Sequence, residues 1–281
     1  MHWDQLQDAL VTSACDADLL WRLPNTLKDC AKADIMPTCS KHLRQGDPKP
    51  DINPNHYTLF GNRICPFVER VRYTLQYHGI EFDSIHIALD AKPDWFLEIS
   101  PTGKVPLFLT NDGQMIVESD VIMRFVDKMK GEKTSLLSVC GEEDFQKACE
   151  LSSELSGTIH PVAFRGHTGK DAEEAILNAC LKINSAIKGT YLAGPKLSLA
   201  DLVMFPFVDR LEVALSVLKG TDPSEVEEFK PNDPTGKQWP VLLEYLLRMR
   251  ELPFVAQVRT SAQAKARIAA TIRSGHPDWD M

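Results

Sequence analysis

Apolar positions between residues 57 and 130 change period several times, and each change marks an element. Residues 57–60 read Tyr-Thr-Leu-Phe, a short strand bounded by Gly61 and Asn62. Cys65-Pro66 then opens a helix, because proline at the first helical position gives up an N–H that has no partner there. Phe67, Val68, Val71, Leu75 and His78 share one face at helical spacing, and Gly79 suits the stop. Over residues 82–89, Ile85, Ile87 and Leu89 alternate with Ser84, His86 and Ala88, the period of a strand. Residues 93–99 predict a short helix. Residues 105–109 and 115–117 flank Asn111-Asp112-Gly113 and predict a hairpin. Residues 118–130 predict a helix.

This succession of strand, helix, strand, helix, strand, strand, helix is the thioredoxin-like order, and its helical crossovers allow parallel pairing of the first strands. After Gly131 the strand signals vanish. Residues 142–156, 171–186, 199–218, 238–251 and 255–272 all predict helices. Ser198 and Asp201 form a capping pair with Leu197 and Leu202 as its apolar staple, and Pro206 predicts a kink. Before residue 57 the signals are sparse. Ala9, Leu10, Leu19, Leu20 and Trp21 could line short helices, and residues 41–55 carry three prolines, the composition of a linker or surface strap. The predicted organisation is an N-terminal extension and linker (1–54), an α/β thioredoxin-like domain (55–131) and an all-α domain (140–275).

Composition narrows the function classes. A formal charge of −8 argues against a nucleic-acid binder, which needs a basic face. The seven cysteines are irregularly spaced with no C-x-x-C pair, so neither a zinc knuckle nor a dithiol motif is offered, and a reducing compartment is expected. The opening residues lack a basic region followed by an apolar run, and no stretch approaches the roughly 20 apolar residues that span a bilayer. A cytoplasmic protein without membrane or nucleic-acid partners is expected. The eight histidines, His160 and His167 among them, show no metal-ligand spacing, so no metal is expected.

Cys65 is the candidate nucleophile. At a helix start, free N–H groups and the helix dipole favour a thiolate, and lower a cysteine pKa into the range of roughly 3.5 to 7.5. The alternative is a buried structural cysteine. Val105-Pro106 puts a proline at a strand start, which a cis bond exposing the Val105 backbone would accommodate, or an edge position would tolerate. Glu118-Ser119 opens a helix whose positive end could hold a carboxylate, or is simply a cap.

Taken in order, RICPFVER at 63–70, KPDWF at 92–96, GKVP at 103–106, ES at 118–119, SLAD at 198–201 and PFVDRLE at 206–212 resemble an omega-class glutathione transferase over residues 41–253. Residues 1–40, with Cys15, Cys30 and Cys39, are extra to that pattern. The resemblance implies the thioredoxin-like plus helical architecture and a homodimer. It implies glutathione as co-substrate with no permanently bound cofactor, and small oxidised or electrophilic molecules as second substrates. Cys65 would form a mixed disulfide with glutathione, with Phe67 beside the thiol. Val105, next to a cis Pro106, would pair with the cysteinyl backbone. Glu118 and Ser119 would hold the γ-glutamyl end, Lys92 would approach the glycine carboxylate, and Arg210 and Tyr245 would line the second-substrate pocket. The implied activity is thiol transfer and glutathione-dependent reduction, of dehydroascorbate among others. Two alternatives stay open: a conjugating transferase using the Tyr57 or Ser84 hydroxyl, and an intracellular chloride-channel-type protein of the same fold.

Overall fold

In the computed structural model, which describes residues 41–100 and 102–281, β1 (Tyr57–Gly61) lies at the centre of a four-stranded sheet. The helices expected before residue 40, and Cys15, Cys30 and Cys39, lie outside the described residues. The sheet order is β2 (Phe82–His86), β1, β3 (Leu107–Leu109), β4 (Met115–Val117). β1 and β2 run parallel with Tyr57 opposite Phe82, joined through α1 (Pro66–Tyr77). β3 is antiparallel to both β1 and β4, so the Asn-Asp-Gly segment does turn a hairpin. α2 (Asp94–Ile99) leads into β3, and α3 (Ser119–Met129) follows β4. Phe60, Ile85, Ile87, Phe96 and Leu107 form one buried cluster on the sheet. Gly61 is fixed by packing: a Cβ there would lie 2.4 Å from Val68 Cγ1, so strand end and helix start approach more closely than any side chain permits.

The strand expected over residues 82–89 is present as β2, and its neighbourhood is buried on both faces. Ser84, His86 and Ala88 are as buried as Ile85 and Ile87. The strap before β1 explains part of this. Leu43 N–H donates to the His86 carbonyl at 2.8 Å, Ala88 N–H donates to the Leu43 carbonyl at 2.9 Å, and the His42 and His86 rings stack at 5.0 Å.

The helical half begins with α4 (Leu136–Arg165), longer than expected and interrupted at Gly141, where φ is 74°. α5 (Lys170–Ala186) follows. The stretch expected as one kinked helix over 199–218 is two, α6 (Leu199–Val208) and α7 (Leu211–Lys219). The break at Asp209 and Arg210 turns both charged side chains into a buried ionic network, described below. α6 is wholly buried and opens with the expected capping box: Ser198 N–H donates to Asp201 Oδ2 at 2.8 Å. α8 (Pro240–Glu251) is followed by α9 (Pro253–Ala256) and α10 (Ala262–Arg273). A single helix was expected over 255–272; Ser261, which accepts from the Ala264 N–H at 3.2 Å, restarts it as a cap. No helix among the described residues is long and apolar enough to cross a membrane.

Candidate active site

The strand register brings most of the expected residues to one end of the sheet. Phe60 sits opposite Leu107, and Leu107 opposite Val117. The end of β1, the start of β3 and the end of β4 are therefore neighbours, and they lead to Cys65, Val105-Pro106 and Glu118-Ser119 respectively. The Val105-Pro106 peptide is cis. Glu118 has φ 66°, a left-handed conformation that non-glycine residues adopt sparingly, and its carboxylate is exposed 4.0 Å from Lys104. Ser119, the first residue of α3, is buried. Lys92 runs alongside Gly103, with its Cδ 3.6 Å from where a Cβ would stand.

Cys65 is half-buried at the N-cap of α1 and its side chain makes no capping hydrogen bond. Its local backbone is held at every step. Arg63 N–H donates to His42 Nε2 at 3.2 Å, and Arg72 donates to the Arg63 carbonyl at 3.3 Å. Ile64 N–H donates to Asn62 Oδ1 at 3.1 Å, Arg210 Nη2 donates to the Ile64 carbonyl, and Cys65 N–H donates to the Asn62 carbonyl at 3.2 Å. The expected low thiol pKa is reversed. Burial pushes the Cys65 thiol up. The Val68 and Phe67 N–H groups and the Arg210 charge oppose this, and the Glu69 carboxylate adds to it. The helix end acts in the anticipated direction, but removing a thiolate from water outweighs it. Cys140 and Cys149 are raised for the same first reason, and Cys180 is pushed up to about 12.

Two expected pocket residues are elsewhere. Tyr245 is fully buried, its hydroxyl 3.4 Å from the Asp201 carbonyl, so it lines no open cavity. Arg210 is also buried and pairs with Glu69 at 2.8 Å while donating to the Ile64 and Pro206 carbonyls. It lies behind the Cys65 loop. Glu69 and Arg210 belong to a larger buried network: Lys265 reaches both Glu69 (3.7 Å) and Asp209, and Asp209 also binds Arg250 (2.7 Å) and Arg259 (3.0 Å).

Arg70 was not anticipated. It is a buried cation on α1 that donates to Ser119 Oγ (3.2 Å), Ser152 Oγ and the Val203 carbonyl (3.0 Å). Its guanidinium lies 5.1 Å from the Phe67 ring and 4.6 Å from the Phe207 ring, and those two rings meet edge-on at 5.2 Å. Phe67, 36% exposed, thus forms the open face of a stacked cationic support. The alternative hydroxyls are remote in topology. Tyr57 begins β1, at the end of the strand opposite Cys65, and stacks on Phe108 at 5.6 Å; Ser84 is buried in mid-β2. A cleft of about 470 Å³ lined by Ile52, Pro54, His56, Leu109 and Asn111 also lies at that opposite end, away from the thiol. Among the described residues no three His, Cys, Asp or Glu side chains are grouped to hold a metal ion.

Residues 59–134 match the family model for the glutathione S-transferase N-terminal domain, and residues 164–253 that for the C-terminal domain. The rice protein named probable glutathione S-transferase DHAR1, cytosolic, is 32% identical over 56% of this chain and 71% of its own length. Pig glutathione S-transferase omega-1 is 29% identical over 55% of this chain, a match spanning 66% of the pig protein. Drosophila melanogaster pyrimidodiazepine synthase is 27% identical over 86% of this chain and 96% of its own length. The structure of glutathione transferase Omega 1C from Trametes versicolor superposes with a TM-score of 0.61 at 19% identity, covering 80% of this chain and 98% of that one. The chain belongs to the glutathione transferase family, and omega-class members are among its relatives.

Proposed function

We propose that the protein is a glutathione-dependent thiol transferase and reductase in which Cys65 is the nucleophile. The observation that carries this is the position of Cys65. It caps α1 at the sheet end where the cis Val105-Pro106 and the Glu118-Ser119 corner also arrive. Glutathione would lie along that corner. Its γ-glutamyl end would meet Ser119 and Glu118, its cysteinyl backbone Val105 beside Pro106, and its glycine carboxylate Lys92, with Phe67 beside the sulfur.

In the first step the Cys65 thiolate attacks the glutathione sulfur of a mixed disulfide. The old S–S bond breaks, and the substrate sulfur leaves with the electron pair and takes up a proton. The thiolate of a second glutathione then attacks the Cys65–glutathione disulfide, releasing glutathione disulfide and regenerating the Cys65 thiolate. Across this cycle one glutathione thiol is consumed, and its sulfur leaves joined to the glutathionyl sulfur of the mixed disulfide as glutathione disulfide. Reduction of dehydroascorbate instead consumes two glutathione thiols, which pass two electrons and two protons to the substrate as they join in one disulfide. The raised thiol pKa limits the anion to a minority at neutral pH. It also makes that anion more nucleophilic, because intrinsic nucleophilicity rises with thiol pKa. We place this activity in the cytoplasm and in a homodimer.

The test is glutathione-dependent reduction of dehydroascorbate and of a small mixed disulfide, by wild type and Cys65→Ala. Loss of both activities in the variant is expected. Retained reduction, or unchanged conjugation of an electrophile, would move the chemistry to a hydroxyl donor and overturn the proposal.

A further inference from the structure

The segment that follows α10 turns back to the loop in front of Cys65. Asp280 Oδ1 accepts from the backbone N–H of His42 at 2.8 Å and lies 2.7 Å from His42 Nδ1. The other ring nitrogen, Nε2, accepts from the Arg63 N–H at 3.2 Å. An imidazole accepting through Nε2 must carry its proton on Nδ1, which then donates to Asp280. Burial and the charges of Arg63 and Arg72 favour this neutral form, with Asp280 opposing; His86, stacked on the ring, is itself held neutral, its pKa pushed down to about 2. One neutral ring therefore connects Asp280 to a peptide N–H two residues before the thiol.

A second contact reaches the same loop. Trp279 is buried in a cluster with Ile64, Ala88 and Ile268, and its indole N–H donates to Asp90. Ile64 immediately precedes Cys65. The side of Ile64 is thus covered by an indole from the far end of the chain, while its carbonyl is held by Arg210.

We propose that Asp280, His42 and Trp279 are positioning residues for Cys65: they fix the 62–65 loop and so set both the burial and the aim of the thiol. This rests on Cys65 being the nucleophile. Asn62, Arg72 and Arg210 also tether the loop, while Asp280 acts on it at the Arg63 N–H through His42 and Trp279 acts on it at Ile64.

The experiment compares full-length wild type, Asp280→Ala, Asp280→Asn and Trp279→Ala. Iodoacetamide alkylation is followed at each cysteine by mass spectrometry, alongside kcat and glutathione KM. Freeing the loop hydrates the thiol and removes its aim. Cys65 alkylation should accelerate about fivefold relative to Cys149, the size of one lost neutral hydrogen bond, while kcat falls and glutathione KM holds. Asp280→Asn keeps the acceptor oxygen and should behave as wild type. Unchanged Cys65 alkylation and kcat in folded Asp280→Ala and Trp279→Ala would overturn the proposal, as would an Asp280→Asn variant as altered as Asp280→Ala. Should either alanine variant fail to fold, the Asp280→Asn result, read with His42→Gln, decides. Activity surviving in Cys65→Ser is a separate outcome. It would remove the nucleophile, and with it the catalytic meaning of the positioning, while leaving the alkylation result standing.

Discussion

Arg70 Nη1 donates to Ser119 Oγ across 3.2 Å, so a buried cation on α1 stands directly behind the hydroxyl at the start of α3. The same guanidinium reaches Ser152 on α4 and the Val203 carbonyl on α6. Its pKa is pushed down to about 10 by burial, which leaves it charged throughout the neutral range.

That charge should be felt by an anion placed at Ser119. Ser119→Ala removes a hydrogen bond to a charged ligand group, a loss of about 1.5–3 kcal/mol, or roughly tenfold to a hundredfold in glutathione affinity. Arg70→Met should weaken glutathione binding in the same direction and also lower the melting temperature, because Ser152 and Val203 lose their donor. Val105→Ile should leave affinity unchanged, since only its backbone is used. Calorimetric titration checks all three, and full affinity in Ser119→Ala would remove that residue from the site.

The pH dependence of Cys65 follows from its burial. A thiol raised above its ordinary value gains its anion only on the alkaline side, so both alkylation and turnover should climb with pH through the ordinary thiol range and beyond. Cys180, buried with a pKa pushed to about 12, is the internal reference and should stay unreactive over the same range. Alkylation profiles by peptide mass spectrometry measure this. A Cys65 midpoint below roughly 7.5 would mean that the helix end wins after all.

Removing Arg210 should be costly for folding. Glu69 and Arg210 are both almost completely buried at 2.8 Å, and breaking such a pair from one side costs about 3–5 kcal/mol because the remaining charge is stranded. Lys265, 3.7 Å from Glu69, should keep Arg210→Met near the lower figure. A Glu69→Gln, Arg210→Met double variant should recover part of the loss in urea unfolding. A double variant as unstable as the sum of the singles would show that the two residues do not act as a pair.

Asp209 gives the network its acid sensitivity. Lys265, Arg250 and Arg259 hold its carboxyl down to about 2 against burial. A carboxyl with a depressed folded pKa contributes stability above its unfolded value, near 3.9, and loses it as pH falls through that value toward the folded one. Stability of wild type should therefore fall between about pH 4 and pH 2 more steeply than that of Asp209→Asn. Parallel slopes for the two proteins would place the acid transition elsewhere.

What could be read from the chain was local. Cys65-Pro66 at a strand-to-helix turn, the Asn-Asp-Gly hairpin and the Ser198–Asp201 cap each depend on a few consecutive residues, and each has its expected form. What could not be read depends on distant packing. The burial of Cys65 and Tyr245 is set by elements far away in sequence, and a polar ring on a helix gives no sign of which way it will face. Arg70 looks like an ordinary solvated charge until α4 and α6 are packed over it. Asp280 meets His42 across 238 positions, beyond the reach of any periodicity. The helix break at Asp209-Arg210 was hidden because Pro206 offered a nearer reason for a bend.

The partners of α1 also bear on how freely parts of this protein could be exchanged with those of its relatives. Neighbouring Glu69 and Arg70 send their side chains to different partners: one to Arg210 and Lys265, the other to Ser119, Ser152 and Val203. A chimaera that imported a foreign helical half without these partners would strand two opposite buried charges on a single turn of helix. Grafts that carry α1 together with the Ser152 turn of α4, residues 199–210 and the Lys265 face of α10 should fold, whereas a cut placed simply between the sheet and the helices should not.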